Sequence, residues 1–345
     1  MEPADALERI AYLLDRARET PYRVRAYRRA AEVVAAIPPE ELAERARLNT
    51  LTQLEHLGPK TAAIVVETLA DGEPAYLAEL EATTAIVSGV GDALRATLRG
   101  DCHSHSDWSD GGSPIEVMAR AARALGHEYQ VLTDHSPRLT VANGLSPGRL
   151  SRQLDVVAEL NEAFAAEAAA GEAESFRLLT GIEVDILDDG SLDQSDELLG
   201  RLDLVVASVH SKLRMDATQM TRRMATAVAN PHVDVLGHCT GRIVVGKGRP
   251  ESEFDAEVVF HACARFDTAV EINCRPERLD PPRRLLALAV DAGCRFSIDT
   301  DAHAPGQLEW LPYGCDRAAE AGIEPDRIVN AMGVDDLLAW TSDRR

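Results

Sequence analysis

The 345-residue chain contains only three lysines against 33 arginines, and aromatic residues make up 4% of it. No apolar run approaches the roughly 18 residues that a membrane-spanning helix needs, which argues against membrane association. The first residues, MEPADALERI, contain neither a basic region nor a long apolar one, so we expect no signal peptide. None of the six cysteines forms a CxxC pair, and we expect reduced thiols in a cytoplasmic protein.

The chain is strongly acidic, with a formal net charge of −21. This charge argues against a generally basic nucleic-acid-binding surface, although an acidic domain can mask a basic face elsewhere. Hydrophobic residues make up 45% and charged residues 27% of the sequence, as in ordinary globular proteins. At roughly 150 residues per domain, the length indicates about two domains.

The two parts of the chain differ in their apolar pattern. Residues 1–98 contain only helical spacing, and the segment TLTQLEHLGPKTAAIVVETLADG predicts two helices joined by a short turn. In residues 99–345, seven short apolar runs alternate with amphipathic helices. That alternation predicts an α/β fold whose parallel strands close into a (β/α)7 barrel, preceded by a small all-α domain. Because no GxGxxG turn follows the first run, we expect neither a nicotinamide nor another nucleotide cofactor.

Metal-binding side chains are concentrated at the ends of the predicted strands, where six of the ten histidines fall. The carboxyl ends of parallel barrel strands share one rim, so these side chains are expected to converge. Imidazole and carboxylate donors together suit Zn, Mn or Fe better than Ca or Mg. Nine donors exceed the capacity of one ion, and we predict two or three divalent ions held by His103, His105, Asp110, His135, Glu183, His210, His238, Asp301 and His303.

Three further aspartates, Asp101, Asp134 and Asp299, lie one or two positions from these residues. They are candidates for fixing an imidazole tautomer, and a solvated or helix-capping role is an equal alternative for each.

The charge of such a centre indicates its substrate. Three divalent ions outweigh three ligand carboxylates and one metal-bound hydroxide, so the rim would attract a phosphate. Metal clusters of this kind activate water and stabilise both the attacking and the leaving oxygen of phosphoryl transfer. The prediction is metal-assisted phosphoester hydrolysis, with the hydroxide as nucleophile and Glu183 and Asp301 as catalytic carboxylates.

These motifs resemble the PHP (polymerase and histidinol phosphatase) domain over residues 99–340. The HxH motif of that family is matched by His103 and His105, and its TDH motif by residues 133–135. All nine metal-ligand positions of the family are filled. The resemblance implies a distorted (β/α)7 barrel with a trinuclear metal site.

Within this family, RGDCHSHSDWSDG, ASVHS and GHCTGR are most similar to the PHP domain of bacterial family X DNA polymerases. PYRVRAYRRAA and LEHLGPKTAA resemble the N-terminal helix-hairpin-helix domain of those polymerases. Arginines are also dense between residues 16 and 29, where they either contact a DNA backbone or form a solvated helix surface. The candidate DNA-binding residues are Arg23, Arg25, Arg28, Gly58 and Lys60.

The sequence also departs from that polymerase family. Leu98 leads almost directly to Asp101, which leaves no room for a nucleotidyltransferase carboxylate triad, so we expect no polymerase activity. His56 replaces the usual first glycine of the hairpin. Ile64 occupies the position of a Schiff-base lysine, which leaves a deoxyribose-phosphate lyase role unsupported. Arg275 replaces a small or amide residue, so substrate contacts are expected to differ.

Three functions remain open. The first is a phosphoesterase acting at DNA ends, as a 3′–5′ exonuclease or 3′-phosphatase in DNA repair. The second is a phosphatase for a phosphorylated small molecule, of the histidinol-phosphatase type. The third is a non-catalytic DNA-binding protein with a structural metal site. Under the second function, basic residues such as Arg242, Lys247, Arg249, Arg275 or Arg278 would bind the phosphate. The sequence indicates no protein partner.

Overall fold

The computed structural model of the protein describes residues 1–87 and 89–345, so Ser88 lies outside the described residues. The chain divides into two compact units. Residues 1–87 form the first unit together with residues 304–307, and the second holds the remaining described residues. We retain residues 1–98 and 99–345 as the proposed domains.

The first unit is all helical, as predicted. Four of its five helices have proline in the first helical position, where the missing N–H has no intrahelical partner to lose. Apolar residues at helical spacing, such as Leu7, Ile10 and Leu14, are buried in one shared core. The helices are α1 (Pro3–Arg16), α2 (Pro21–Ala35), α3 (Pro39–Arg47), α4 (Pro59–Asp71) and α5 (Ala75–Thr83).

The second unit contains a seven-stranded parallel sheet in which the strands pair in chain order. An isolated parallel bridge between Ser104 and Ala302 brings the two edge strands together, so the sheet is a nearly closed barrel. This confirms the predicted (β/α)7 fold. The strands are β1 (Gly100–Ser104), β2 (Tyr129–Leu132), β3 (Arg177–Asp185), β4 (Leu204–Ser208), β5 (Val235–Leu236), β6 (Ala269–Asn273) and β7 (Phe296–Asp299).

Helices connect the strands and cover the outside of the barrel. Most strands are buried along their whole length, as expected for parallel strands covered on both faces. The helices of this unit are α6 (Asp92–Arg95), α7 (Ile115–Ala124), α8 (Pro147–Ala169), α9 (Asp196–Leu199), α10 (Ala217–Val228), α11 (Ala256–Phe266), α12 (Arg283–Asp291), α13 (Leu311–Glu320) and α14 (Val334–Asp343).

Strand β5 is shorter than its apolar run predicts. The run VDVLGH extends to His238, but the strand ends at Leu236. The backbone N–H of His238 donates to the side chain of Glu271 in β6 rather than to a main-chain carbonyl oxygen. Gly237 permits this departure, because a Cβ atom there would lie 2.2 Å from the Ser208 hydroxyl.

Two further features agree with the composition. The six cysteines are free and buried, and Cys102 packs in the apolar core with Tyr129 and Val131. Among the described residues, no helix is both long and apolar enough to cross a membrane.

Candidate metal centre

The barrel brings the nine predicted ligands to one rim. Each follows or ends a strand, and because all seven strands run parallel, their carboxyl ends open toward the same side. His103 lies within β1 and Glu183 within β3, whereas His210 and His238 lie just beyond β4 and β5. Residues almost two hundred positions apart in the chain therefore meet.

Glu183 lies at the centre of this cluster. Its Oε1 atom is 2.9 Å from His238 Nε2 and 3.1 Å from His210 Nε2. Its Oε2 atom is 2.9 Å from His135 Nδ1, 3.3 Å from His103 Nε2 and 3.5 Å from His105 Nε2. One carboxylate thus contacts five imidazoles, which is the geometry expected of a group that bridges two ions.

Asp301 and Asp110 extend the cluster on either side. Asp301 Oδ1 is 3.5 Å from His105 Nε2 and 4.0 Å from His103 Nε2. Asp110 Oδ1 is 3.3 Å from His303 Nε2 and 3.5 Å from His135 Nε2. The donors form three overlapping groups that satisfy the geometry of an ion site: His105, Asp110, His135 and His303; His103, His105 and Asp301; His135, Glu183 and His210.

The donor spacing fits transition-metal ions. Two ligand atoms that are each about 2.1 Å from one ion lie about 3.0–3.4 Å apart, close to the separations around Glu183. Five of the rim histidines also have a buried ring nitrogen with no hydrogen-bond partner among the described residues. A buried ring nitrogen without a partner destabilises the folded protein unless another group binds to it. A metal ion coordinated by their lone pairs would do so.

The electrostatics of the rim favour ionised carboxylates. Burial alone would raise the pKa of Glu183, but His210, His135 and His103 hold it well below its usual range. Burial likewise acts to raise the pKa of Asp301, and the positive charge of Arg275 lowers it strongly. Both carboxylates are therefore negative and available to divalent cations.

Two carboxylates missing from the predicted ligand set orient the imidazole rings. His103 Nδ1 donates to Glu271 Oε1 at 2.5 Å, and His210 Nδ1 donates to Asp185 Oδ1 at 2.7 Å. Each contact places the ring proton on Nδ1 and turns the Nε2 lone pair toward Glu183. Glu271 and Asp185 stand at strand ends like the ligands, and that position is the signal that could have identified them.

The three aspartates considered for this orienting role do not perform it. Asp101 accepts hydrogen bonds from Thr300 and from the backbone N–H of His103. Asp134 accepts from Ser106, Ser109 and Gln153, and Asp299 accepts from the backbone N–H of Cys102. Within the described chain, none of the three bonds to an imidazole nitrogen. The orienting role, which was one of two alternatives for each, is therefore wrong, because hydroxyl, amide and backbone donors bind these carboxylates instead.

Two of the candidate phosphate-binding residues lie at the metal cluster. Arg275 Nη1 is 3.5 Å from Asp301 Oδ1 and 2.9 Å from His303 Nδ1. Arg278 Nε is 3.3 Å from Asp301 Oδ2, and its buried Nη1 has no hydrogen-bond partner among the described residues. Arg242 instead donates to the carbonyl oxygens of residues 278 and 279. Lys247 is exposed.

Some of the candidate DNA-binding residues of the helical unit form ion pairs with acidic neighbours, and others do not. Arg28 forms an ion pair with the largely buried Asp15. Arg23 Nη1 is 2.8 Å from Glu19, and the same side chain donates to the Tyr76 hydroxyl at 2.5 Å. Arg25, with Arg29 and Gly58, lines a cavity of about 440 Å³, and Lys60 is exposed.

The hairpin departs from the usual pattern at His56. This residue has φ = +63°, in the left-handed region that glycine adopts most easily. Gly58 begins the next helix, and its N–H donates to Thr61 Oγ1 at 3.0 Å. The turn therefore keeps the backbone of a glycine-containing hairpin despite the substitution.

Comparison with known families agrees with this geometry. Residues 101–273 match the PHP domain, and residues 1–74 match a helix-hairpin-helix domain. The chain belongs to the PHP domain family. Members of this family are metal-dependent, and the predicted class of enzyme, a metal-dependent hydrolase acting on phosphoester bonds, is confirmed.

Two relatives each match about two thirds of the chain or more. The chain is 37% identical over 243 residues to the DNA polymerase/3'-5' exonuclease PolX of Bacillus subtilis, a match covering 70% of this chain and 41% of that protein. It therefore spans about two fifths of that relative's length. It is 27% identical to a "probable phosphatase" of Thermoanaerobacter sp., over 67% of this chain and 89% of that protein.

Among solved structures, the chain is similar to the histidinol phosphate phosphatase of Lactococcus lactis, in complex with zinc, L-histidinol and phosphate. The sequence identity is 17% and the TM-score 0.44, and the match covers 66% of this chain and 94% of that one.

Proposed function

We propose that the chain is a metal-dependent phosphoesterase that hydrolyses phosphate esters at DNA ends, as a 3′–5′ exonuclease or a 3′-phosphatase, without polymerase activity. The observation that carries this proposal is the convergence of nine donor side chains, with Glu183 among them, on one rim, where buried ring nitrogens lack other partners. Similarity to a protein named as a polymerase and exonuclease, together with the helix-hairpin-helix match, supports DNA as the substrate.

The nine rim residues are the proposed metal ligands, and two or three ions of Mn, Zn or Fe are the proposed cofactors. Glu183 would offer both of its carboxylate oxygens to such ions, and Asp301 completes the donor group that it forms with His103 and His105. Bound ions of this kind supply an activated water and neutralise charge on the phosphoryl oxygens. Glu271 and Asp185 hold the imidazoles that face Glu183 in the tautomer that ligation needs.

Arg275 and Arg278 are the proposed contacts to the scissile phosphate. Both lie beside Asp301, and the unpartnered N–H group of Arg278 is a donor that an incoming phosphate oxygen can satisfy. The guanidinium of Arg275 also lies 5.7 Å from the centre of the Trp310 ring, a cation–π contact that limits its movement.

The test uses the Mn-loaded full chain with a 3′-labelled oligonucleotide, histidinol phosphate and a generic phosphomonoester. Release of nucleotide or phosphate from the oligonucleotide, abolished in His103→Ala, supports the proposal. Unchanged DNA binding by both proteins without turnover of any substrate would instead favour a non-catalytic DNA-binding protein.

A small-molecule phosphomonoesterase is the second candidate. It is favoured by the two arginines at the cluster, which suit the dianionic phosphate of a monoester. Similarity to a "probable phosphatase" over nearly the whole length of that protein also supports it. Turnover of the monoesters alone in the same assay would select this function.

A further inference from the structure

A second cavity lies beside the loop that carries Arg275 and Arg278. It has a volume of about 680 Å³ and is lined mainly by residues of the loop after β5, including Arg242, Arg249 and Ser252. Arg284, in the first turn of α12, lines it from another side. None of the nine proposed metal ligands lines this cavity, so it is separate from the metal centre.

Positive charge dominates the cavity wall in an otherwise acidic chain. Three arginines line it against two glutamates. Arg242 Nη1 is 3.2 Å from Glu251 Oε1, and Arg284 pairs with the other oxygen of the same carboxylate. The carboxylate of Glu251 thus pairs with two guanidinium groups. The side chains that line the cavity therefore retain a net positive charge.

Arg249 provides the unused donors. Its Nε donates to the carbonyl oxygen of Gly241 at 2.5 Å, and its two terminal nitrogens have no hydrogen-bond partner within the described chain. Burial and the nearby positive charge of Arg278 lower its pKa, and the negative charge of Asp280 opposes them only in part. A bound anion would satisfy the free N–H groups and the excess charge together.

Two further features suit an anion. Ser252 is buried, lines the same cavity, and its hydroxyl has no hydrogen-bond partner among the described residues. The cavity is also bordered by Ala217, the first residue of α10, so the positive ends of α10 and α12 flank it. Phe254 supplies an aromatic wall that a base or sugar can contact.

Arg278 connects the wall of this cavity to the metal centre. Arg242 Nε donates to the main-chain carbonyl of Arg278 at 2.9 Å, while the side chain of Arg278 reaches Asp301 at 3.3 Å. A polyanionic strand whose end occupies the metal centre would therefore bring a neighbouring phosphate close to the arginines of the cavity.

We propose that this cavity binds a phosphodiester group of the oligonucleotide substrate, next to the phosphate held at the metal centre. The inference rests on the proposed function for the identity of the strand. A free nucleotide offers the same phosphate chemistry, and the experiment below separates the two sources.

The test measures binding of a fluorescently labelled pentanucleotide with phosphorothioate linkages to the Mn-loaded full chain, by anisotropy. We expect Arg249→Ala to weaken binding about tenfold, as for loss of one or two charge-assisted hydrogen bonds. Arg249→Lys should retain part of the affinity because it keeps the charge. Arg222→Ala, which removes an exposed arginine of α10, is the matched control and should bind normally. Turnover of p-nitrophenyl phosphate, too small to reach the cavity, should change less than twofold in Arg249→Ala.

Equal pentanucleotide affinities for Arg249→Ala and Arg222→Ala would overturn the proposal, as would an equal loss of p-nitrophenyl phosphate turnover in Arg249→Ala. If binding of adenosine monophosphate depended on Arg249 and pentanucleotide binding did not, the assignment to the substrate strand would be wrong. If oligonucleotide binding depended on Arg249 but the unmodified oligonucleotide were not hydrolysed, the proposed reaction would be wrong. The proposed phosphate site would still be supported.

Discussion

The barrel rim and the helical unit both contain clusters of charged side chains. The two clusters differ in how far their hydrogen-bonding atoms have partners within the protein. At the rim, buried imidazoles and carboxylates approach one another without completing their hydrogen bonds, which leaves capacity for ions. In the helical unit, arginines such as Arg28 and Arg23 are already paired with acidic neighbours. A dense cluster of one residue type therefore indicates a ligand site only where the protein itself leaves donors or acceptors unused.

Replacing the central carboxylate should give the largest effect. In Glu183→Gln, the loss of a charge shared by five imidazoles should reduce phosphoester turnover more than roughly 100-fold, beyond the usual cost of losing a supporting residue. Metal content per chain, measured by mass spectrometry, should fall in parallel. A variant that keeps full metal content and activity would contradict the central role of this residue.

The paired arginines of the helical unit should affect stability instead. Arg28→Ala leaves the buried carboxylate of Asp15 without its partner and should lower the free energy of unfolding by about 3 kcal/mol at pH 8. Burial raises the pKa of Asp15 to about 6 even with Arg28 present. The loss should thus shrink below pH 6, where the carboxyl is protonated in the folded variant. Urea unfolding at both pH values tests this, with exposed Arg25→Ala as the control.

Replacing Glu271, the carboxylate that orients His103, should lower the affinity of the rim for metal ions. Glu271→Gln keeps the side-chain volume but cannot accept hydrogen bonds from both His103 Nδ1 and the N–H of His238. We expect Mn affinity to fall roughly 10- to 100-fold, with unfolding in the presence of chelator nearly unchanged. Imidazole ¹⁵N shifts should show a mixed tautomer for His103. Unchanged shifts and affinity would remove Glu271 from the proposed centre.

His127, a buried histidine away from the rim, should affect stability rather than metal binding. Burial, aided by the charge of Arg95, lowers the pKa of His127 to about 3. The unfolded chain binds a proton near pH 6.5 and the folded chain does not, so stability is complete above pH 6.5 and falls as the pH drops toward 3. Between pH 7 and 5 this residue should account for about 2 kcal/mol of lost stability, which His127→Gln should abolish. Equal acid sensitivity of both proteins would contradict the assignment.

The smallest effect is expected at the exposed arginine of the helical unit. Arg25→Ala removes one proposed phosphate contact without breaking an ion pair. Oligonucleotide binding should weaken modestly, and the slope of log affinity against log salt should decrease by about one. A slope equal to that of the unmodified chain would indicate that Arg25 belongs to an ordinary solvated surface.

Much of the fold could be predicted because it is encoded locally. Apolar periodicity distinguishes the helices of residues 1–87 from the strand–helix alternation that follows, and parallel strands must present their carboxyl ends on one rim. The positions of His103, Glu183 and Asp301 at strand ends were therefore sufficient to anticipate that they meet. The early end of β5 could not be foreseen, because it depends on a side chain from β6.

The sequence by itself determined the helical and barrel units and the set of donors that converge on the rim, since both follow from spacing along the chain. Only the tertiary structure decided how the charged side chains pair. Glu271 contacts His103 across 168 residues, Arg28 binds Asp15, and Arg249 keeps free donors in a cavity. Such pairings depend on distances of a few ångströms between distant segments, which no local pattern encodes.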